Sequence, residues 1–97
     1  MIVYIETPIR KIEDGVVFID NQESEHIASS YYPVFDNAES MDDLFSIIDH
    51  MTNNNLFFSV KSGNESRVIG NEYIKSELRR ADNVRVAISY LNYLKGA

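Results

Sequence analysis

The chain has 97 residues, enough for one hydrophobic core and too few for two, so we expect a single domain spanning residues 1–97. Hydrophobic residues make up 44% of the chain and charged residues 25%, which is ordinary for a globular protein and argues against disorder or a fibrous repeat. The chain contains no cysteine, so disulfides and thiolate metal sites are excluded.

The apolar runs of the sequence are short, and none approaches the roughly 20 residues that a helix needs to cross a bilayer. The first residues lack the basic segment that precedes the apolar part of a secretory signal, and Glu6 follows the first apolar stretch directly. We therefore expect a cytoplasmic protein without a membrane partner.

Charge is distributed unevenly along the chain. Residues 1–56 contain eleven acids against Arg10 and Lys11, a net charge of −9, whereas residues 57–97 contain four acids against seven bases, a net charge of +3. Such asymmetry affects association with other molecules rather than the choice of fold.

The N-terminal segments favour β-structure. Residues 2–5 are apolar and predict a strand that ends before Pro8. Residues 9–13 and 16–20 are two further β-prone runs, and Asp14-Gly15 between them tolerates the positive φ angles of a tight hairpin turn. Together these runs predict a strand followed by a hairpin.

Residues 21–39 are mostly polar and acidic, and we predict a long connection that lays the aromatic segment 31–35 on the body of the protein. A short strand near residues 26–32 is the alternative. A connection of this length is uncommon without a function.

A helix is predicted over residues 41–52. Ser40 can cap its first N–H groups, Asp43 stands in the capping-box position, and Leu44 and Ile48 continue an apolar stripe at helical spacing. The asparagines at 53–55 accept the left-handed conformation that often ends a helix.

Residues 56–61 and 67–69 predict two strands that pair through a turn, and a second helix begins at Asn71. Residues 84–94 fit both a helical stripe and a strand alternation; we predict a helix, with a break at Asp82-Asn83. The predicted fold class is α+β, with a small antiparallel sheet (N-terminal strand and hairpin, second hairpin) packed against two or three helices.

The sequence contains no recognisable catalytic apparatus, phosphate-binding glycine pattern or cofactor motif. Glu23, Glu25 and His26 place three candidate metal ligands within four residues, but a solvated acidic segment explains them better. We therefore predict no catalytic, cofactor-binding or metal residue and no cofactor. A small metal-dependent enzyme built on His26 is kept as an alternative.

The basic residues near the C-terminus are the only feature that suggests nucleic acid. They are Lys75, Arg79, Arg80 and Arg85. Since the whole chain has a pI of about 4.7 and phosphate affinity needs accumulated positive charge, we predict no direct nucleic-acid binding. Pairing with Glu72 and Glu77, or with the acidic half, is the expected role of these bases.

The acidic half can be simply solubilising, or it can form a negative surface around aromatic anchors. The second interpretation predicts a basic protein partner, since charge speeds encounter and aromatic side chains hold a complex. The candidate partner-binding residues are Glu23, Glu25, Tyr31, Tyr32, Phe35, Asp42, Asp43 and Asp49.

By physical analogy, we predict a non-enzymatic inhibitor or immunity protein that neutralises a basic macromolecule such as a toxin nuclease. A phage-encoded inhibitor of a nucleic-acid-binding defence complex is one alternative. Another is a homodimeric module in which the acidic half of one copy meets the basic segment of a second.

Overall fold

The computed structural model describes residues 9–14, 16–17, 21–62 and 65–94, without the side chains of residues 9–13, 16–17, 21–28, 60–62 and 65–67. The elements in chain order are β1 (Ile9–Glu13), β2 (Val16–Val17), α1 (Asn21–Asp36), α2 (Met41–Asn53), β3 (Leu56–Ser62), β4 (Glu65–Val68), α3 (Asn71–Leu78) and α4 (Val84–Leu94). The strand predicted at residues 2–5, and residues 18–20 of the predicted hairpin, lie outside the described residues.

The strands lie side by side in the order β2-β1-β3-β4, and each neighbouring pair is antiparallel. Arg10 of β1 is opposite Phe57 of β3, and Val60 of β3 is opposite Arg67 of β4. Asp14, in the connection from β1 to β2, has a φ of 51°, the positive angle that a tight hairpin turn requires.

Helices dominate the described part of the chain. They contain 16, 13, 8 and 11 residues, whereas the strands contain 5, 2, 7 and 4. Among the core side chains that the structure describes, only Leu56 and Phe58 belong to a strand. The predicted fold class, a small antiparallel sheet packed against two or three helices, is therefore wrong: the fold is mostly helical, and four helices supply most of the described core.

The main error concerns residues 21–39, predicted as a long connection with a short strand near 26–32 as the alternative. Residues 21–36 instead form α1, although Pro33 inside this helix has no N–H to donate. Tyr32 and Phe35 are three positions apart, share a helical face, and are 2% and 0% exposed. Burial of such side chains stabilises a fold by about 1.5–3 kcal/mol each, which offsets the weak helical preference of this polar segment.

Both ends of α2 follow from local sequence. The Oγ of Ser40 accepts a hydrogen bond from the Asp43 N–H at 3.1 Å, which confirms the predicted N-cap. The carboxylate of Asp43 accepts from the Glu39 N–H at 3.2 Å, one residue earlier than in the usual capping box. At the other end the helix extends to Asn53, and Asn55 takes the left-handed conformation with a φ of 58°.

The C-terminal segment forms two helices, and the break predicted at Asp82-Asn83 is confirmed. The Oδ1 of Asn83 accepts a hydrogen bond from the Val86 N–H at 3.0 Å and so caps the start of α4. The strand alternative for residues 84–94 is excluded, because the buried side chains recur at helical spacing. These side chains are Ala87, Ile88, Leu91 and Leu94.

Asn71 connects α2, β3 and α3, and is 4% exposed. Its Oδ1 accepts a hydrogen bond from the Phe58 N–H at 3.1 Å. Its Nδ2 donates to the Leu56 carbonyl at 2.8 Å and to the Thr52 Oγ1 at 2.7 Å. Because a buried amide must be hydrogen-bonded to be tolerated, these contacts fix how the end of α2 meets β3.

Candidate protein-binding surface

α1 and α2 carry formal charge of one sign. No lysine or arginine occurs between Lys11 and Lys61. The acids of the two helices are Glu23, Glu25, Asp36, Asp42, Asp43 and Asp49. The charge asymmetry of the sequence is therefore carried largely by one pair of helices in the fold.

The connection between α1 and α2 is short and anchored, so the two helices form a helical hairpin. The N–H groups of Asn37 and Ala38 donate to carbonyls in the last turn of α1 at 3.2 and 3.1 Å, and Ala38 is buried. Four exposed carboxylates surround this connection, and we call them the acidic turn: Asp36, Glu39, Asp42 and Asp43.

Three acids that were predicted to bind a partner have structural roles. Asp43 closes the N-terminus of α2, and Asp42 lies in the first turn, where the helix dipole favours negative charge. Asp49 accepts a hydrogen bond from the Lys75 ammonium at 2.7 Å, and this bond raises the pKa of Lys75. Helix capping and packing therefore partly explain why acids occupy these three positions.

Helix stability does not explain Asp36. Asp36 ends α1, where the helix dipole disfavours a carboxylate, and its side chain accepts a hydrogen bond from the Asn92 Nδ2 at 2.8 Å. Glu39 is exposed and directly precedes the N-cap Ser40, where the α2 dipole favours negative charge, and its backbone N–H donates to Asp43. Of the four carboxylates of the acidic turn, Asp36 is therefore the strongest indication of an external role.

The predicted aromatic anchor is wrong for Tyr32 and Phe35, which are buried in the core. The Phe35 ring stacks at 6.1 Å from the Phe58 ring and meets the Tyr32 ring edge-on at 5.3 Å. Burial, and secondarily the Asp36 carboxylate, raises the pKa of Tyr32 well above its ordinary value. Neither side chain can contact a partner in this fold.

An open groove of about 490 Å³ lies between α1 and α2. Its lining residues are Ser30, Tyr31, Val34, Ser46, Ile47 and His50. The ring of Tyr31 lies 6.3 Å from the ring of His50 across the helix pair, and partial burial raises the pKa of Tyr31. Val34 is 48% exposed and contributes apolar surface to the groove. Of the three predicted aromatic anchors, only Tyr31 therefore borders an accessible surface.

Sequence reasoning missed most of this groove. On the α2 side, helical spacing was a usable signal, because Ile47 and His50 lie on the flank next to the buried stripe. On the α1 side, Ser30 and Val34 were predicted to lie in a connection, so helical spacing could not place them on the same face. The groove forms where two helices pack together, and the periodic pattern of one helix does not predict which helix packs against it.

The structure places Glu23 and Glu25 in the first half of α1, whose side chains are outside the description. Their predicted contact with a partner stays a prediction, and so does the metal alternative at His26. Among the residues that the structure does describe, no group of three or more acidic or histidine side chains could hold a metal ion.

The predicted internal pairing of the basic segment is confirmed for Lys75 and Arg80, and for Arg79 and Arg85 it stays a prediction. Lys75 pairs with Glu72 at 3.5 Å in addition to Asp49, and Arg80 pairs with Glu77 at 3.8 Å. The flank of α2 that faces α3 is thus partly neutralised. No such pairing is described on the flank that faces α1.

No family model, curated protein or solved structure matches this chain. Within the described residues, no helix is both long enough and apolar enough to cross a membrane.

Proposed function

We propose that this chain is a non-enzymatic binding protein that acts in the cytoplasm, as a small inhibitor or immunity protein that neutralises a basic macromolecule such as a toxin nuclease. One observation carries the proposal: the four exposed carboxylates of the acidic turn lie within eight consecutive residues, on a helix pair without lysine or arginine. A nuclease needs a basic cleft to hold phosphates, and such a cleft is complementary to this turn.

The position of Asp36 supports a role in binding. A carboxylate at the end of a helix opposes the dipole and costs about 0.3–1 kcal/mol when exposed. The last turn of α1 contains no basic side chain to offset this cost. Residues that break a local stability rule are often functional, and Asp36 is beside three further acids. A phage inhibitor of a defence complex would use the same surface, and the neighbouring genes would distinguish the two.

Capture from a lysate of the source cell tests the proposal. Three baits are compared: the wild-type protein, Asp36→Asn combined with Glu39→Gln, and the control Glu72→Gln. Glu72 is an exposed acid in the first turn of α3 and is not part of the acidic turn. We expect a lysine- and arginine-rich protein on the wild-type and control baits and its loss from the double variant. Equal capture by all three baits contradicts the proposal.

A homodimeric module is the second candidate, because three exposed arginines belong to the opposite end of the sequence. These are Arg79, Arg80 and Arg85. The acidic turn of one copy could pair with them in another copy. Size-exclusion chromatography at about 50 mM and about 500 mM salt separates the candidates. A dimer that dissociates in high salt supports self-association, and a monomer under both conditions excludes it.

A further inference from the structure

The groove between α1 and α2 gives the proposed interface a second component, which is apolar. Val34 and Ile47 supply aliphatic surface from opposite helices, and Tyr31 and His50 border it. Large apolar side chains left half-exposed next to a concave surface are typical of sites that receive a side chain of a partner.

The acidic turn lies next to the groove along α2. Asp43 is three residues before Ser46 and four before Ile47 in α2, so it shares their helical face, whereas Asp36 is two residues from Val34 in α1 and contacts Asn92 of α4. Further from the acidic turn, the rings of Tyr31 and His50 lie 6.3 Å apart across the groove. A segment bound along the α2 side of the groove would therefore reach the acidic turn at one end and pass Tyr31 and His50 at the other.

We propose that the groove binds a segment of the protein partner in which one branched apolar side chain is followed by lysine or arginine residues. This inference rests on the proposed function and names the chemistry of its partner. The apolar side chain enters between Val34 and Ile47, and the basic residues that follow it meet the acidic turn. The apolar contact supplies affinity, and the charges set the direction of the segment.

Charge complementarity favours this occupant over an apolar segment of any other kind. An acidic or uncharged segment gains nothing from four carboxylates and has to approach a helix pair that carries no lysine or arginine. A second copy of this chain is the alternative occupant. In that case the amide signals of the groove residues change with protein concentration in the absence of any peptide.

The test uses two synthetic peptides of about ten residues, one with a single leucine preceding four lysines and one with serine in place of that leucine. Each is titrated into the ¹⁵N-labelled full chain, and amide shifts are followed. We expect the leucine peptide to shift the amides of Val34, Ile47 and His50 and to bind about tenfold more tightly than the serine peptide.

Two protein variants provide a matched comparison. Val34→Asp places a charge in the groove, whereas Val86→Asp changes a valine of almost equal exposure, 47% against 48%, on α4. The first variant should lose the preference for leucine, and the second should keep it. Should Val34→Asp fail to fold, the leucine-to-serine change in the peptide tests the same contact without altering the protein.

The outcomes separate this inference from the function it rests on. If both peptides bind equally and shift only the amides of the acidic turn, the groove proposal is overturned while the proposed function stands. If neither peptide shifts any amide at millimolar concentration, both are contradicted. If the groove amides shift on dilution of the protein alone, a second copy occupies the groove and the proposal is overturned.

Discussion

Asp36 accepts a hydrogen bond from the Nδ2 of Asn92 at 2.8 Å, and this contact joins the end of α1 to α4. The bond needs an acceptor oxygen at position 36 but not a negative charge. Asp36 therefore allows the structural contribution of the side chain to be separated from that of its charge.

Asp36→Asn should fold with unchanged or slightly higher stability. The amide oxygen can still accept from Asn92, and removal of the charge relieves an unfavourable interaction with the helix dipole of about 0.3–1 kcal/mol. Denaturant unfolding of the variant and the wild type measures the difference. A loss of more than about 1 kcal/mol would show that the charge itself stabilises the fold, and the case for a binding role would weaken.

Asn71→Ala should be strongly destabilising. The substitution leaves the Phe58 N–H without its acceptor in the core and removes two donated bonds, so we expect a loss of about 2–3 kcal/mol. Asn53→Ala, at an exposed position that ends α2, is the control and should change stability by less than about 0.5 kcal/mol. Similar effects of the two substitutions would mean that the buried network contributes little.

Ser40→Ala should lower the free energy of unfolding by about 1 kcal/mol, because it removes the acceptor for the Asp43 N–H at the start of α2. The matched control is Ser46→Ala in the middle of the same helix, where alanine is the better helix former. Chemical denaturation of both variants gives the comparison. If Ser40→Ala is as stable as Ser46→Ala, the cap is not an important contribution to α2.

Stability should fall in alkaline solution because the pKa of Tyr32 is raised above its ordinary value of 10.0. The folded state holds this proton more tightly than the unfolded state, so the contribution is intact below about pH 10 and is lost as pH rises further. At about pH 11 the expected loss is about 1.4 kcal/mol. Lys75, whose pKa is also raised, adds a loss of the same sign.

Tyr32→Phe isolates the contribution of this tyrosine. Between about pH 9 and about pH 11, unfolding experiments should show a smaller decrease in stability for the variant than for the wild type. A residual decrease is expected, since burial also raises the pKa of Tyr31 and Tyr90. Parallel pH profiles for the two proteins would rule out a contribution from Tyr32.

The sequence was informative where local and tertiary preferences agree. Ser40 and Asp43 mark the start of α2, and the buried Leu44 and Ile48 follow at helical spacing, so capping and packing indicate the same element. For residues 84–94, the β-branched residues favoured a strand, whereas the spacing of the apolar residues favoured a helix. Packing of Leu91 against the core decided in favour of the helix.

α1 could not be predicted in this way. Its composition is polar, Pro33 interrupts its backbone hydrogen bonds, and its described core contacts come from Tyr32 and Phe35 near its end. Burial of these side chains in the core therefore stabilises the helix, and the local sequence pattern does not contain that information. The candidate site was predicted only in part for the same reason: its charges are visible in the sequence, but the groove requires α1 and α2 to be packed together.

The central claim is that the exposed charges of the acidic turn attract a basic partner. Its most direct test is the association rate constant of the captured partner, measured at about 20 mM and about 150 mM salt with the wild type and with the Asp36→Asn, Glu39→Gln double variant. We expect the double variant to associate at least about threefold more slowly at low salt and to show a weaker salt dependence. Equal association rates with equal salt dependence would contradict the claim.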